Sequence, residues 1–407
     1  MTETARPLRI AHLAFASLPA TIGGLEIVVE ALMREQRAAG HDVALVTRWR
    51  QAGARRRADL PGPVLALPPR RHDPASPPYR DVGARWPVAV AAMAHQLRRR
   101  FDVWHAHWVY PTAWMVHDAL ARLGVPMVIT GHGADLQVEH ATRYGFRQHA
   151  HHDQRVRDLV PRASSLTAVS PSIDAELRAL GARPDRTQLI LNGVEAGHIA
   201  AAAPNIQAIR THLGVPPGAT LILSVGRAEH RKGWQFVPET LARLVGGGAD
   251  VVWALVGGGA ETLRAQAAAH GVAKRMRFLP PVPGDGGTVF PGTALIDLYH
   301  AADVFAFPSL IEAFGIVLLE AMAAGTPVVA NQVPGVCDVV SDGTDGLLCD
   351  PASPASMAEA IQRLIADPGL RARLSAAGRE TAARHDWAEI SRRYVAFYRE
   401  TIARARA

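Results

Sequence analysis

The chain of 407 residues lacks the features that would suggest a secreted or membrane-embedded protein. Its two cysteines, Cys337 and Cys349, are too few for a disulfide framework, and a reducing cytosol fits this number best. No apolar run reaches about 18 residues, so we expect no membrane-spanning helix. Residues 9–20 are a poor signal peptide because their apolar run is short and contains His12. We therefore expect a cytoplasmic protein.

Lysine is almost missing: only Lys232 and Lys274 occur among 44 basic residues, and the others are arginine. The net charge of +7 fits either an arginine-rich genome or attraction to an acidic partner. Arginine clusters at residues 55–57, 70–71 and 98–100 raise the hypothesis of peripheral contact with the inner face of a membrane, although the last cluster could simply complement a helix C-terminus. Nucleic acid is not an expected partner, because the basic residues lack interleaved aromatics.

The length favours about two domains, and 48% hydrophobic with 20% charged residues is ordinary for a globular protein. Short apolar runs alternate with amphipathic segments, which predicts α/β domains with parallel sheets covered by helices. The predicted strands are residues 9–15, 43–47, 64–67, 103–107, 127–130, 166–169, 221–225, 251–256, 276–279, 304–307 and 328–330.

The alternation pauses in residues 192–219, where glycine and proline are frequent, so we place the connection between two domains there. We assign residues 1–200 to a first Rossmann-like domain and residues 201–385 to a second. Residues 386–407 are predicted to form a C-terminal helix that packs back across the domains. Ligands of open α/β sheets bind beyond the carboxyl ends of the strands, so two facing sets of strand ends predict one central cleft.

Two glycine motifs follow predicted strands and precede predicted helices. The first contains Gly23 and Gly24, and the second contains Gly257. Glycine allows close approach of the backbone to a ligand, and a helix N-terminus offers N–H groups to a phosphate. Each motif could equally be a structural turn.

A basic pair, Arg227 and Lys232, follows the strand predicted at residues 221–225. Fixed cations at this place could neutralise the charge that builds on a leaving diphosphate. The alternative is two solvated charges on a loop. The scarcity of lysine in the chain favours the first interpretation.

Residues 307–322 contain two glutamates: Glu312 in a loop, and Glu320 inside an apolar helix predicted to begin near Phe314. A carboxylate among apolar neighbours needs a partner, either the hydroxyls of a ribose or hexose or one of the arginines. The N–H groups expected to face a phosphate or sugar are those of Phe314, Gly315, Ile316 and Val317.

Two glutamates eight positions apart in this setting resemble the signature of the family-4 retaining glycosyltransferases, which have the GT-B architecture of two Rossmann-like domains. The resemblance covers nearly the whole chain. It departs in the longer Pro/Gly-rich loop at residues 280–292, near the expected nucleotide base, and at Cys337, where proline is expected. The motifs in the family's order are Gly23-Gly24, residues 102–107, 130–135 and 192–194, Gly226-Arg227, Lys232-Gly233 and residues 325–329.

This resemblance implies transfer of a hexosyl unit from a UDP- or GDP-sugar to a hydroxyl acceptor, with retention at the anomeric carbon. The acceptor could be a sugar, a lipid-linked compound or a small molecule, bound by the first domain, while the second domain binds the nucleotide sugar. No cofactor is implied. We also expect no divalent metal, because Arg227, Lys232 and helix N–H groups can neutralise the leaving diphosphate.

The resemblance also implies roles for single residues. Glu312 would contact the donor sugar, Glu320 the ribose, and Arg227 and Lys232 the diphosphate. His132 would lie beside the transferred sugar. The remaining donor-site candidates are Gly23, Gly24, Gly257, Phe314, Gly315, Ile316 and Val317, and Asp135 is a further catalytic candidate.

The histidines suggest a metal site, but their spacing matches no closed zinc site. His105 and His107 alternate along a strand, and His149, His151 and His152 are predicted to lie in a loop on the acceptor side. Two other functions stay open at this point. A nucleotide-sugar epimerase of the same architecture would release an epimerised nucleotide sugar, and a two-lobed sugar-binding protein would show no turnover.

Overall fold

The computed structural model describes residues 6–15, 23–48, 63–67, 85–285 and 290–407. The arginine clusters at residues 55–57 and 70–71, and part of the loop at residues 280–292, lie outside the described residues. The chain divides into two compact units between Asn192 and Gly193, at the start of the predicted connection. The C-terminal segment Trp387–Ala407 belongs to the first unit.

A parallel sheet of seven strands forms the centre of the first unit, within the part of the chain that is described. Its strands are β1 (Arg9–Leu13), β2 (Asp42–Arg48), β3 (Val64–Leu67), β4 (Val103–His107), β5 (Met127–Gly131), β6 (Ser165–Ala168) and β7 (Thr187–Leu189). They stand in the order β3-β2-β1-β4-β5-β6-β7. Its described helices are Gly24–Ala38, Arg85–Arg99, Trp114–Ala121, Ala150–Leu159, Pro171–Ala179 and Trp387–Arg406.

The second unit repeats this plan with six described strands. They are β8 (Thr220–Val225), β9 (Val251–Val256), β10 (Met276–Leu279), β11 (Val304–Phe307), β12 (Val328–Asn331) and β13 (Leu347–Cys349), in the order β10-β9-β8-β11-β12-β13. Its described helices are Ala196–Ala200, Ile206–His212, Val237–Gly246, Arg264–Ala269, Thr293–Ala301, Ile316–Ala324, Pro354–Ala366 and Pro368–Ala383.

These strands form because their residues are apolar, often β-branched, and buried on both faces. All six residues of β9 are buried, and Trp253 at its centre packs in a core with Ile222 and Val304. In each sheet the order of the strands reverses beside the first strand, between β1 and β4 and between β8 and β11. Ligands of such sheets bind at this switch point, beyond the carboxyl ends of the strands. The two sheets confirm the predicted α/β class with two Rossmann-like domains.

The C-terminal helix Trp387–Arg406 is bonded into the first unit by polar contacts. The Thr401 hydroxyl lies 2.7 Å from the Ser165 hydroxyl, and Arg393 donates to the carbonyl of Leu189 at 2.8 Å. At the far end of the helix Arg85–Arg99, Arg98 and Arg99 occupy the last turn, where cations complement the helix dipole. Among the described residues, no helix combines the length and apolar character that crossing a membrane requires.

The carboxyl ends of β8 and β9 approach each other through glycine. A Cβ atom on Gly257 would lie 1.5 Å from the carbonyl oxygen of Gly226, and the φ of Gly257 is +147°. By contrast, a Cβ on Gly258 would find its nearest neighbour, Pro281 Cγ, 3.9 Å away. The close approach therefore requires glycine at position 257 and tolerates a side chain at position 258.

We predict that Gly257→Ala lowers the free energy of unfolding by about 2 kcal/mol or more, because the backbone must shift and the residue is strained. Gly258→Ala is the matched control. Its free energy of unfolding should equal that of the wild type within about 0.5 kcal/mol, or exceed it by up to about 1 kcal/mol. Urea denaturation of the three proteins measures both values. Equal stabilities for the two variants would contradict the close approach.

Candidate active site

A buried ion pair lies at the second switch point, on the loops that follow β8 and β11. Lys232 Nζ is 2.5 Å from Glu312 Oε2, and the two side chains are 15% and 12% exposed. The Ser309 hydroxyl donates to the same carboxylate oxygen at 3.4 Å, and the ammonium lies 5.2 Å from the centre of the Phe307 ring. The interpretation of Lys232 as a solvated loop charge is therefore wrong.

The pKa of each partner reflects both burial and the other charge. Burial lowers the pKa of Lys232, and the attraction of Glu312 offsets only part of this shift. Burial alone would raise the pKa of Glu312, but the Lys232 ammonium, together with Arg231 and the backbone N–H of Ala313, outweighs it, and the pKa lies below its usual value. Glu312 is consequently an ionised acceptor at neutral pH.

Arg227 lies in a different environment from Lys232, directly after Gly226, the glycine that follows β8. Its side chain is 58% exposed and pairs with Glu229 at 3.1 Å. The same glutamate also pairs with Arg231 at 2.7 Å. An exposed ion pair of this kind contributes little to stability and yields readily to a stronger anion.

The helix Ile316–Ala324 begins later than the sequence predicted. Gly315 is its N-cap with φ of +92°, a conformation that favours glycine, and the expected start near Phe314 was wrong. Ile316 and Val317 form the first turn, ahead of the first helical bond from Leu318 N–H to the Gly315 carbonyl. Phe314 precedes the helix and is buried.

Glu320 lies one turn inside this helix and is only 3% exposed. The Tyr299 hydroxyl donates to its Oε2 at 2.6 Å, so its described partner is a tyrosine and the expected alternative of an arginine was wrong. Burial raises the pKa of Glu320 to about 7, although the hydrogen bond from Tyr299 opposes this shift. The carboxyl group is thus close to half-ionised at neutral pH.

At the first switch point, three buried histidines lie on neighbouring strands. His12 on β1 is directly opposite His105 on β4, and His107 follows two positions later on the same face. His12 Nδ1 is 3.0 Å from His107 Nε2, and His107 Nδ1 is 3.0 Å from His132 Nε2. Sequence reasoning singled out His105, His107 and His132 but assigned no role to His12. The sequence did contain an indication of His12, because this residue lies near the carboxyl end of the first predicted strand, where ligands of such sheets bind.

This histidine cluster has the composition of a metal site, with ring nitrogens of His12, His105 and His107 within 4.8 Å of one another. However, protein groups contact both nitrogens of each ring: Gln36 and His107 contact His12, and Tyr398 and Thr130 contact His105, while His12 and His132 contact His107. A metal would have to displace these hydrogen bonds. The absence of a metal requirement stays an expectation.

Asp135 fixes the turn that carries His132 after β5. Its carboxylate accepts the backbone N–H of His132 at 3.0 Å and that of Val109 at 2.8 Å. Burial raises the pKa of Asp135 to about 6, although the backbone donors oppose the shift. Burial lowers the pKa of His132 to about 3, so its imidazole is neutral at physiological pH.

The remaining sequence candidates occupy helix starts. Gly23 is the N-cap of the helix that begins at Gly24, as the motif predicted. The loop predicted around His149 was wrong. His149 is the N-cap of the helix Ala150–Leu159, which contains His151 and His152.

Two Rossmann-like units, with a basic loop and paired glutamates at the second switch point, define a glycosyltransferase of the GT-B class. Residues 22–198 match the family described as Glycosyltransferase Family 4, and residues 205–381 match Glycosyl transferases group 1. The chain belongs to this family of glycosyltransferases and is an enzyme.

Relatives with similar sequences extend over nearly the whole chain. A D-inositol 3-phosphate glycosyltransferase from Acidothermus cellulolyticus is 34% identical, with 98% of this chain and 92% of the relative covered. D-inositol 3-phosphate glycosyltransferase 1 from Catenulispora acidiphila is 33% identical, with 97% and 96% covered.

Solved structures share the fold at lower identity. Sucrose-phosphate synthase from Thermosynechococcus elongatus has a TM-score of 0.77 and 23% identity, with 97% of this chain and 99% of that chain covered. HepE from Anabaena in complex with UDP-glucose has a TM-score of 0.76 and 22% identity, with 97% and 99% covered.

We predict that removing one partner of the buried ion pair costs more than removing both. Lys232→Met and Glu312→Gln should each lower the free energy of unfolding by about 2 kcal/mol, because a buried charge loses its partner. The double variant should lose less stability than either single variant, and therefore less than the sum of the two losses.

Arg227→Ala is the control, and its stability should lie within about 0.5 kcal/mol of the wild type because its ion pair is exposed. Chemical denaturation of the four variants completes the cycle. Strictly additive losses for Lys232 and Glu312 would show that the pair is not coupled.

Proposed function

We propose that the enzyme transfers a hexosyl unit from a UDP- or GDP-sugar to a hydroxyl of an acceptor, with retention at the anomeric carbon. The observation that supports this most is the arrangement at the second switch point. On two loops and one helix, the chain offers a buried cation, an ionised carboxylate and a second carboxyl group with raised pKa. A nucleotide diphosphate sugar carries the complementary groups: an anionic diphosphate and two sets of sugar hydroxyls.

Lys232 and Arg227 would hold the diphosphate, together with the N–H groups of Ile316 and Val317. The charge on the diphosphate grows as the glycosidic bond breaks, so preorganised donors there stabilise the transition state more than the ground state. The glycine turn at Gly257 and the glycine pair Gly23-Gly24 would allow close approach of the donor. These donors would suffice without a divalent metal or a cofactor.

The two glutamates would divide the hydroxyl groups between them. Glu312, ionised and held by Lys232, would accept from hydroxyls of the transferred sugar. Glu320 would accept hydrogen bonds from the ribose hydroxyls, because these donors would take the place of the water that burial keeps away from the carboxylate. The structural relative HepE was solved in complex with UDP-glucose, which supports a donor of this class.

Retention requires either a covalent intermediate or attack on the face from which the leaving group departs. A covalent route needs a free carboxylate beneath the anomeric carbon. Glu312 is engaged by Lys232 and Ser309, and Asp135 accepts two backbone N–H groups. We therefore favour same-face attack: the bond from the anomeric carbon to the phosphate oxygen breaks, the bond to the acceptor oxygen forms, and the acceptor proton passes to the departing phosphate.

The acceptor is proposed from the relatives. Two relatives above 30% identity are named D-inositol 3-phosphate glycosyltransferases, which makes a small phosphorylated polyol the first candidate. A sugar or a lipid-linked acceptor is the alternative. A cytoplasmic location, with peripheral membrane contact through arginines such as Arg98 and Arg99, belongs to the same proposal.

We predict that binding of a nucleoside diphosphate releases about half a proton at pH 7, because ribose hydroxyls favour the ionised form of Glu320, whose pKa is about 7 in the free protein. The release should vanish at pH 8.5, where the group is already ionised. Calorimetry in buffers of different ionisation enthalpy measures it. Glu320→Gln should bind more weakly and release no proton, whereas an unchanged release would assign the proton to another group.

We predict an α-linked product from an α-linked donor and full activity in excess EDTA. NMR of the fresh product of UDP- and GDP-hexoses with D-inositol 3-phosphate tests the linkage, and unphosphorylated inositol is the matched control acceptor. A β-linked product would exclude retention, and loss of activity on chelation would exclude metal independence. Release of a free epimerised nucleotide sugar without a glycoside would overturn the transfer itself.

A further inference from the structure

We propose that Gln36 sets the tautomer of His132 through a relay of buried histidines, so that His132 offers Nδ1 as a hydrogen-bond acceptor to a sugar hydroxyl. Gln36 is thus a positioning residue, which contacts no substrate itself. The contact with the sugar rests on the proposed function, whereas the tautomer is a property of the protein alone.

The relay runs through three consecutive hydrogen-bond contacts. Gln36, in the helix Gly24–Ala38, is fully buried, and its Oε1 is 2.8 Å from His12 Nε2. His12 Nδ1 is 3.0 Å from His107 Nε2, and His107 Nδ1 is 3.0 Å from His132 Nε2. All three distances are those of ordinary hydrogen bonds. The rings of His12 and His107 are nearly parallel, at an interplanar angle of 19°.

The amide oxygen gives this relay a direction. A neutral imidazole has one donor and one acceptor nitrogen, and an amide oxygen only accepts. His12 therefore donates from Nε2 and accepts at Nδ1, so His107 must donate from Nε2. His107 in turn accepts at Nδ1, so His132 must donate from Nε2. The proton of His132 is thereby fixed on Nε2, and the lone pair is left on Nδ1.

This reasoning requires uncharged rings, and the complete burial of His12 and His107 disfavours their charged forms. Burial lowers the pKa of His107 well below its usual value, and the neighbouring histidines lower it further. Burial also lowers the pKa of His132 to about 3. Each of these two rings therefore carries a single proton at physiological pH, and its position is decided by hydrogen bonding.

A second arm begins at the other end of the same amide. Gln36 Nε2 donates to the Tyr398 hydroxyl at 3.3 Å, and this hydroxyl is 2.6 Å from His105 Nδ1. His105 Nε2 is 2.6 Å from the Thr130 hydroxyl. Rotation of the amide by 180° would reverse both arms and place a proton on His132 Nδ1. The orientation of one side chain thus determines whether His132 is an acceptor or a donor.

The tautomer can be read directly from the full-length protein labelled with ¹⁵N-histidine, without any ligand. Long-range ¹⁵N–¹H NMR distinguishes protonated from bare ring nitrogens, and the spectrum of His132→Asn assigns the signals of His132. In the wild type we expect a bare Nδ1 and a protonated Nε2. A protonated Nδ1 in the wild type would overturn the proposal, whether or not any variant folds.

Two substitutions at one position then test the role of Gln36. Gln36→Glu keeps an acceptor opposite His12, so the tautomer of His132 should be preserved when it is measured at a pH high enough to keep His12 uncharged beside the carboxylate. Gln36→Met removes the acceptor, so the Nδ1 signal should move towards the average of both tautomers. In steady-state assays Gln36→Met should lower kcat/KM about tenfold, the effect of one lost hydrogen bond, and Gln36→Glu should restore most of it.

The two readouts separate the possible failures. If Gln36→Met leaves the tautomer unchanged, the relay is excluded, even if the activity falls. If the tautomer responds but no nucleotide sugar is ever turned over, the relay stands and the proposed function fails. Thermal unfolding of both variants identifies a loss of activity that comes only from instability.

Discussion

Both sheets depend on the same constraint: the first strand of each unit is hydrogen-bonded on both sides by parallel neighbours. β1 pairs with β2 and β4, and β8 pairs with β9 and β11. A parallel connection must cross over the sheet, so the chain has to leave the central strand in opposite directions. The loops that follow the two central strands therefore diverge at their carboxyl ends. The basic loop at Lys232 and the histidines around His107 occupy these positions because the strand order creates them.

The pKa values of the polar groups at the strand ends depend more on burial and on the partner of each group than on the type of side chain. Three carboxyl groups lie in the two sites, and each has a different partner: an ammonium for Glu312, a phenol for Glu320, and backbone N–H groups for Asp135. At Glu312 the Lys232 ammonium, Arg231 and a backbone N–H together outweigh burial, so its pKa falls, whereas the pKa of the other two carboxyl groups rises. The same type of side chain is thus an anion at neutral pH at one place and a group with a raised pKa at another.

The sequence predicted the architecture well because long, continuous apolar strands carry a strong signal. It missed β7 and β13, two edge strands of three residues each, of which Thr187–Leu189 is mostly polar and only half-buried. The helix at Ile316 was placed too early, because the left-handed conformation of Gly315 that delays it is not visible in composition. The partners of Glu320 and His12 were missed for a different reason. Tyr299 and Gln36 lie 21 and 24 residues away from these partners, and only the packing of their helices brings them within hydrogen-bond distance.

The histidine relay shows how a distant helix can act on a site at a strand end. A buried polar side chain must find a partner, and each neutral histidine ring of the relay has one donor and one acceptor. Such groups cannot be satisfied independently, because the proton position of one ring dictates that of the next. The amide of Gln36 accepts hydrogen bonds at its oxygen and donates them at its nitrogen, so its orientation decides which nitrogen of each following ring carries the proton. The C-terminal helix takes part through Tyr398, which meets both Gln36 and His105. Its polar contacts with β4 and the helix Gly24–Ala38 therefore help to set the proton positions at the first switch point, and they also stabilise the unit.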